Sequence, residues 1–264
     1  MTMTISLHIA GFVINIVFTD TEWPEKKEAL LKSVLSYCAP FKIEESKKCD
    51  AQITVVEISG IPFLVNQKKT YSQCFEKKHK TKYETYYHVS VFEISQLLLL
   101  ILISLLEKKG FLLHAAGVFT KTKVALFMGE SEVGKSTIVR ALGKRYPSFS
   151  DDCVAIKKEK DGYFCYQVPW IEKDSMIIQK GSRPYAISHI YTIKRHAALT
   201  VHKLNTIQTV RELAKNAWII NTIEKDTLKI IFSFVDNGVS GLRLNFALDK
   251  KDQLIQLVSA WERE

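Results

Sequence analysis

The chain has 264 residues, 47% of them hydrophobic and 11% aromatic, with 37 basic residues against 28 acidic ones and a net charge of +9. This composition excludes a disordered or low-complexity chain and supports a real core, as one large domain or a large domain with a small one. The five cysteines (Cys38, Cys49, Cys74, Cys153, Cys165) are odd in number and form no Cys-x-x-Cys pair, which argues against a zinc site and for reduced thiols in the cytoplasm.

The N-terminus, Met1-Thr-Met-Thr, lacks the basic region of a signal peptide, so none is expected. Residues Ile5 to Phe18 alternate apolar and polar and are predicted as strands. Pro24 suits a helix start, and Leu30, Leu31, Val34, Leu35 and Cys38 give that helix one apolar face before Pro40 ends it. Ala51 to Ile58 and Tyr86 to Phe92 are predicted strands. Between them, Lys68 to His88 interleaves lysine and histidine with Tyr71, Phe75, Tyr83, Tyr86 and Tyr87. That stretch suits a nucleic-acid or acidic-peptide surface, but a β-hairpin with aromatic cross-strand pairs is the preferred expectation. The lysine pairs elsewhere read as solvated surface. The window Leu97 to Leu106 is too short to span a bilayer, which takes about 20 residues, so a buried helix over 93–109 is expected and no membrane span.

Two apolar runs follow, Phe111 to Phe119 and Val124 to Met128, separated by Thr120-Lys-Thr-Lys123. So short a link cannot make a parallel crossover, so the two are predicted as an antiparallel hairpin. The hairpin feeds Gly129-Glu-Ser-Glu-Val-Gly-Lys-Ser-Thr137, a complete G-x-x-x-x-G-K-[ST] phosphate-binding pattern. Gly129 and Gly134 would let the backbone N–H groups of Glu130, Ser131, Glu132 and Val133 turn toward phosphate oxygens. Lys135 would reach the outer phosphates, Ser136 would hold Mg²⁺, and Thr137 would open a helix whose dipole faces the anion. Asp151-Asp152 then precedes the apolar run Cys153 to Ile156 rather than ending one. Further strands are predicted near Tyr163–Val168, Ile187–Lys194 and Leu242–Phe246, with a helix from Thr206 to Trp218. A last helix opens at Asp249 and carries Leu254, Leu257, Val258 and Trp261 on one face.

The ordered set Leu113-His114-Ala115-Ala116-Gly117-Val118, Gly129–Thr137 and Ser150-Asp151-Asp152, with the tail Val239 to Phe246, resembles the catalytic domain of HPr kinase/phosphorylase and its relatives. Those relatives include small peptide-modifying kinases and phosphoenolpyruvate carboxykinases. The segment Ile94 to Val118 looks most like the members found beside peptide-modification genes. The resemblance covers about residues 105–260. It implies an α/β fold with a phosphate-loop core and a mixed sheet. With the predicted elements this gives a core over 93–264, in which 93–109 is a connecting helix, preceded by a small α+β region over 1–92. It also implies Asp152 as a metal ligand with Ser136, Asp151 as the base that takes the acceptor's proton, and His114 as a partner of Asp151 or of the γ-phosphate. Arg183 and Arg243 are candidates for spreading phosphate charge, and Glu172 is a candidate contact to metal or acceptor. The Arg-Gly-x-Gly signature of the bifunctional enzymes is missing, so the resemblance does not extend to reverse phosphorolysis. The N-terminal region does not match their regulatory domain.

The expected function is a cytoplasmic, ATP- and Mg²⁺-dependent kinase that phosphorylates a Ser or Thr hydroxyl of a peptide or small protein, with a homo-oligomer as a hint from the relatives. A small-molecule hydroxyl is the alternative acceptor. A nucleotide-dependent regulator or nucleic-acid-binding ATPase is the alternative class. An ABC-type ATPase is disfavoured, because no Leu-Ser-Gly-Gly-type signature is present, and the chain is short for a carboxykinase.

Overall fold

The computed structural model describes residues 2–57, 75–143, 145–170, 180–218, 224–247 and 251–261. The fold is α/β, in two compact units: 1–105 with 169–171, and 106–168 with 172–264.

In the first unit β1 (Met3–Ile9) and β2 (Phe12–Phe18) form a hairpin. Its turn residues Ala10 and Gly11 both have positive φ, the handedness that matches strand twist in a tight hairpin. Helix α1 (Pro24–Cys38) starts on its proline and buries Leu30, Val34 and Cys38. Strands β3 (Lys42–Ile43), β4 (Ala51–Val56), β5 (Phe75–His79) and β6 (Lys82–Tyr86) complete a six-stranded sheet of order β3-β1-β2-β4-β6-β5. The expected aromatic hairpin is β5–β6, in which Phe75 and Tyr83 meet edge to face. Its lead-in from Lys68 through Tyr71 to Cys74 lies outside the described residues.

The strand expected over Tyr86–Phe92 is corrected. Tyr86 ends β6, and helix α2 (Val91–Leu106) begins where the strand was placed. The cause is local. The Glu93 carboxylate accepts from both the backbone N–H and the hydroxyl of Ser90, which fixes a helix start there. Helix α2 is the helix expected over 93–109, and it groups with the first unit up to Leu105. Among the described residues no helix is long and apolar enough to cross a membrane.

The second unit is built on a ten-stranded sheet. The run Phe111–Phe119 is not one strand. It divides at His114 into β7 (Gly110–Leu113) and β8 (Ala115–Thr120). The predicted hairpin is β8 with β9 (Lys123–Met128), antiparallel from Ala115↔Met128 to Thr120↔Lys123. Helix α3 (Lys135–Leu142) follows, starting two residues earlier than expected and burying Ile138, Val139 and Leu142. Next come β10 (Ser148–Ser150), β11 (Val154–Glu159), β12 (Gly162–Gln167), β13 (Tyr185–Arg195) and β14 (Thr200–Lys203). Helix α4 (Thr206–Asn216) stops before Ala217 and Trp218, which form the short strand β15. Helix α5 (Glu224–Asp236), strand β16 (Gly241–Phe246) and helix α6 (Lys251–Trp261) end the chain. No element was expected where α5 lies. Its buried Ile231, Phe234 and Val235 close one side of the core under β7 and β11. On the other side, Leu254 and Val258 of α6 pack with α3. Asp249 and the Trp261 side chain lie outside the described residues.

Strands β9, β13 and β16 are mutually parallel and adjacent, so their carboxyl ends lie together. The ladders β7–β11 and β8–β10 are both antiparallel. Leu113 faces Val154 and, in step with it, Gly117 faces Ser150, before the register shifts toward the pair Val118–Ser148. Between them His114 opposes the stretch Asp151–Cys153, where neither chain is in strand.

Helix α4 has a reciprocal cap. The Asn205 side chain accepts from the Gln208 N–H, and the Gln208 side chain accepts from the Asn205 N–H. Asn205→Ala should cost about 0.5–2 kcal/mol, read as a lower urea midpoint at unchanged slope.

Candidate active site

The loop after β9 sits at the carboxyl ends of the three parallel strands, where open α/β sheets place their ligands. Gly129 and Gly134 have φ of 153° and 114°, and Glu132 between them has 63°. Gly134 is the cap residue of α3 and, having no side chain, gives the helix no side-chain cap. A Cβ on Gly134 would meet nothing within 4 Å, so its need for glycine is conformational, and the space before the helix is open. A helix N-terminus without a side-chain cap and facing open space suits an anion by its dipole and its N–H groups. Lys135 is buried, and its ammonium donates to the carbonyls of Gly129 (2.8 Å) and Glu130 (3.0 Å). Arg195, at the end of β13, donates to the Glu132 carbonyl.

A cavity of about 770 Å³ opens here, lined by Ser131–Thr137, His114, Asp151 and Asp152. Every member of the sequence-derived set except Gly129 and Glu130 lines it. Those two line an adjoining cavity of about 990 Å³, which shares His114, Ser131, Glu132, Val133 and Arg195 with the first. Asp151 and Asp152 are 2% and 8% exposed. The hydroxyl of Ser150 donates to the Cys153 carbonyl and pins the bend that carries them.

His114 lies in the gap between β7 and β8, not within a strand as expected. Its Nδ1 stands 3.2 Å from Oδ1 of Asp152, the neighbour of the Asp151 that was expected, with the γ-phosphate, as its partner. The flanking ladders bring His114 opposite 151–153, within reach of that carboxylate. Arg183 is exposed and lines neither cavity. Arg243 lies on β16 beside Thr192. Glu172 lies outside the described residues.

The residue that sequence reasoning missed is Asn216. Its Oδ1 accepts from the Gly129 N–H (3.1 Å), its Nδ2 donates to the Glu212 carbonyl (2.8 Å), and its own carbonyl accepts from the His114 N–H (2.8 Å). One residue at the end of α4 therefore ties the first glycine of the loop to the backbone of His114. An asparagine ending a helix was the only signal in the chain, and it does not say what lies across from it.

The oxygen donors fit a hard divalent cation. Two buried carboxylates and the Ser136 hydroxyl line one cavity, and Mg²⁺ is usually held by one or two carboxylates together with substrate phosphates. Among the described residues no group of three His, Cys, Asp or Glu side chains forms a self-sufficient metal cage.

Asn216→Ala removes the acceptor for Gly129 N–H but keeps the carbonyl that holds His114. We expect a loss of about 1 kcal/mol and faster amide exchange at Gly129 with little change at His114, measured by hydrogen exchange.

A family model described as "SynChlorMet cassette protein ScmC" matches residues 74–232. No curated protein matches the chain. Among solved structures, the Hpr(Ser) kinase/phosphatase from Coxiella burnetii is 14% identical over 58% of this chain and 95% of that one, with a TM-score of 0.34. That is a distant likeness at most. The family match spans more than half of the 264 residues, and the chain belongs to the SynChlorMet cassette protein ScmC family.

Proposed function

We propose that this protein is a kinase that transfers the γ-phosphoryl group of ATP to a Ser or Thr hydroxyl of a peptide or small protein. The observation that carries the reading is a single cavity. It joins the loop from Ser131 to Gly134, a helix N-terminus without a side-chain cap, a buried lysine and two buried adjacent carboxylates. Phosphoryl transfer consists mostly of positioning and charge neutralisation, and these are the parts it needs.

The loop N–H groups and the start of α3 would bind the phosphates. Lys135 would exchange its contacts to the Gly129 and Glu130 carbonyls for phosphate oxygens. Ser136 and Asp152 would hold Mg²⁺, which would neutralise phosphate charge. His114 fixes Oδ1 of Asp152, which suits an orienting partner of a ligating carboxylate. Asp151, buried on the same bend, would accept the acceptor's proton. The domain reading, a small α+β region over 1–92 before a catalytic core over 93–264, belongs to this proposal, as does the cytoplasmic setting.

The test is incubation with γ-labelled ATP, Mg²⁺ and a panel of Ser/Thr peptides, amino acids and cell extract. Label should appear on an organic acceptor and vanish in Lys135→Ala, which should also bind nucleotide more weakly. Asp151→Asn should keep nucleotide binding and lose about 10²–10⁴-fold in transfer. Near wild-type transfer by Asp151→Asn would refute the base assignment. Label released only as inorganic phosphate would favour a nucleotide-dependent regulator, and label on an amino acid alone would favour a small-molecule kinase.

A further inference from the structure

The phosphate-binding loop has a direction, and Lys135 marks it. Its ammonium rests on the carbonyls of Gly129 (2.8 Å) and Glu130 (3.0 Å). The lysine of this pattern reaches the outer phosphates, so Gly129 and Glu130 stand at the outer-phosphate end of the loop. Gly129 is held from both sides there. Lys135 donates to its carbonyl, and its own N–H donates to Oδ1 of Asn216 (3.1 Å). That N–H is spent on the protein and is not offered to phosphate.

Asn216 reaches the metal side of the site as well. Its backbone carbonyl accepts from the His114 N–H (2.8 Å), and the His114 ring stands 3.2 Å from Oδ1 of Asp152. The Lys135 ammonium and the Asp152 carboxylate are thus each one residue removed from Asn216. The two connections are separable. The His114 bond continues the ladder in which Ala217 pairs with Leu113 and Trp218 with Leu112, so it does not need the Asn216 side chain. The Gly129 bond does. The amide has one orientation only, because Nδ2 donates to the Glu212 carbonyl (2.8 Å) one turn back in α4. Turning it over would set a donor against the Gly129 N–H and an acceptor against that carbonyl.

We propose that Asn216 is a positioning residue for the outer phosphate, a role that rests on the kinase reading of this site. By holding the Gly129 N–H, its side chain sets where the Lys135 ammonium stands relative to the Asp152 carboxylate. A displacement of about 1 Å in such a pair can slow transfer by about 10²-fold. ADP, which lacks the outermost phosphate, feels it little.

The test compares MgADP with a non-hydrolysable ATP analogue and Mg²⁺, both by calorimetry on the full chain well below its melting transition. Transfer from γ-labelled ATP is followed in parallel. Asn216→Ala should bind MgADP within about twofold of wild type, and its ratio of triphosphate to ADP affinity should fall by about fivefold or more. Its transfer at saturating ATP should slow by about 10–100-fold. The matched control is Asn205→Ala, which removes the cap at the other end of the same helix and should change none of the three. Asn216→Asp keeps an acceptor for the Gly129 N–H. At saturating ATP it should transfer within about threefold of wild type, and it carries the test if Asn216→Ala does not fold. Equal effects of Asn205→Ala and Asn216→Ala, an unchanged affinity ratio in Asn216→Ala, or transfer by Asn216→Asp slowed about tenfold or more would each overturn the positioning role. A lowered ratio in Asn216→Ala, with no transfer even by wild type, would keep that role and refute the kinase reading. Transfer by wild type at a rate that Asn216→Ala leaves unchanged would do the reverse.

Discussion

The second unit depends on one antiparallel pairing that is interrupted at His114 and resumes beyond it. Strands β7 and β8 pair with β11 and β10 on either side of a gap, and the ladder resumes in step at Gly117 and Ser150. In an unbroken ladder, residues 114 and 151–153 would alternate into the two faces of the sheet and spend their backbone groups on each other. The gap releases them. The amide of His114 goes to Asn216, the Cys153 carbonyl is met by Ser150, and the His114 ring meets Asp152. Buried backbone groups must find partners, and Asn216 and Ser150 supply two of those the gap needs.

A second constraint sets the loop against that gap. Strand β9 lies between β8, its antiparallel neighbour, and β13, its parallel one. The loop therefore leaves β9 at the end where Ala115 pairs with Met128, next to His114, and where β13 delivers Ile193, Lys194 and Arg195. The backbone then takes three left-handed positions, of which only Glu132 is not glycine. Left-handed backbone in a residue other than glycine costs energy and concentrates at functional sites. The Lys135 ammonium is buried against loop carbonyls, so the loop holds its own cation inside an otherwise donor-rich cradle.

Much of this was legible in the chain. The hairpin β8–β9 followed from a link too short for a crossover, and the loop followed from its glycines and Lys-Ser pair. Asp151-Asp152 stood before its apolar run, and that is where the bend lies. Errors arose where a local hydrogen bond outweighed the apolar pattern. Tyr86–Phe92 has the composition of a strand, but Glu93 caps Ser90 and turns the chain into α2. The helix expected to reach Trp218 stops at Asn216, because Ala217 and Trp218 pair with β7 instead. Helix α5 left no clear signal: Leu228, Ile230, Ile231, Phe232, Phe234 and Val235 are dense enough to suit a strand or a helix.

The sequence by itself determined the local chemistry: a loop whose glycines can take left-handed backbone, a lysine and serine at its helix start, and two carboxylates on one short bend. These are properties of neighbours along the chain, so spacing reveals them. Only the tertiary structure decided that His114 meets Asp152, that Asn216 holds Gly129 and His114 together, and that Thr192 and Arg243 lie side by side. Each of those pairings joins residues far apart in the chain through strand register or a helix end. Register is set by which faces are buried and how turns close, and that is a property of the whole sheet, not of any one segment.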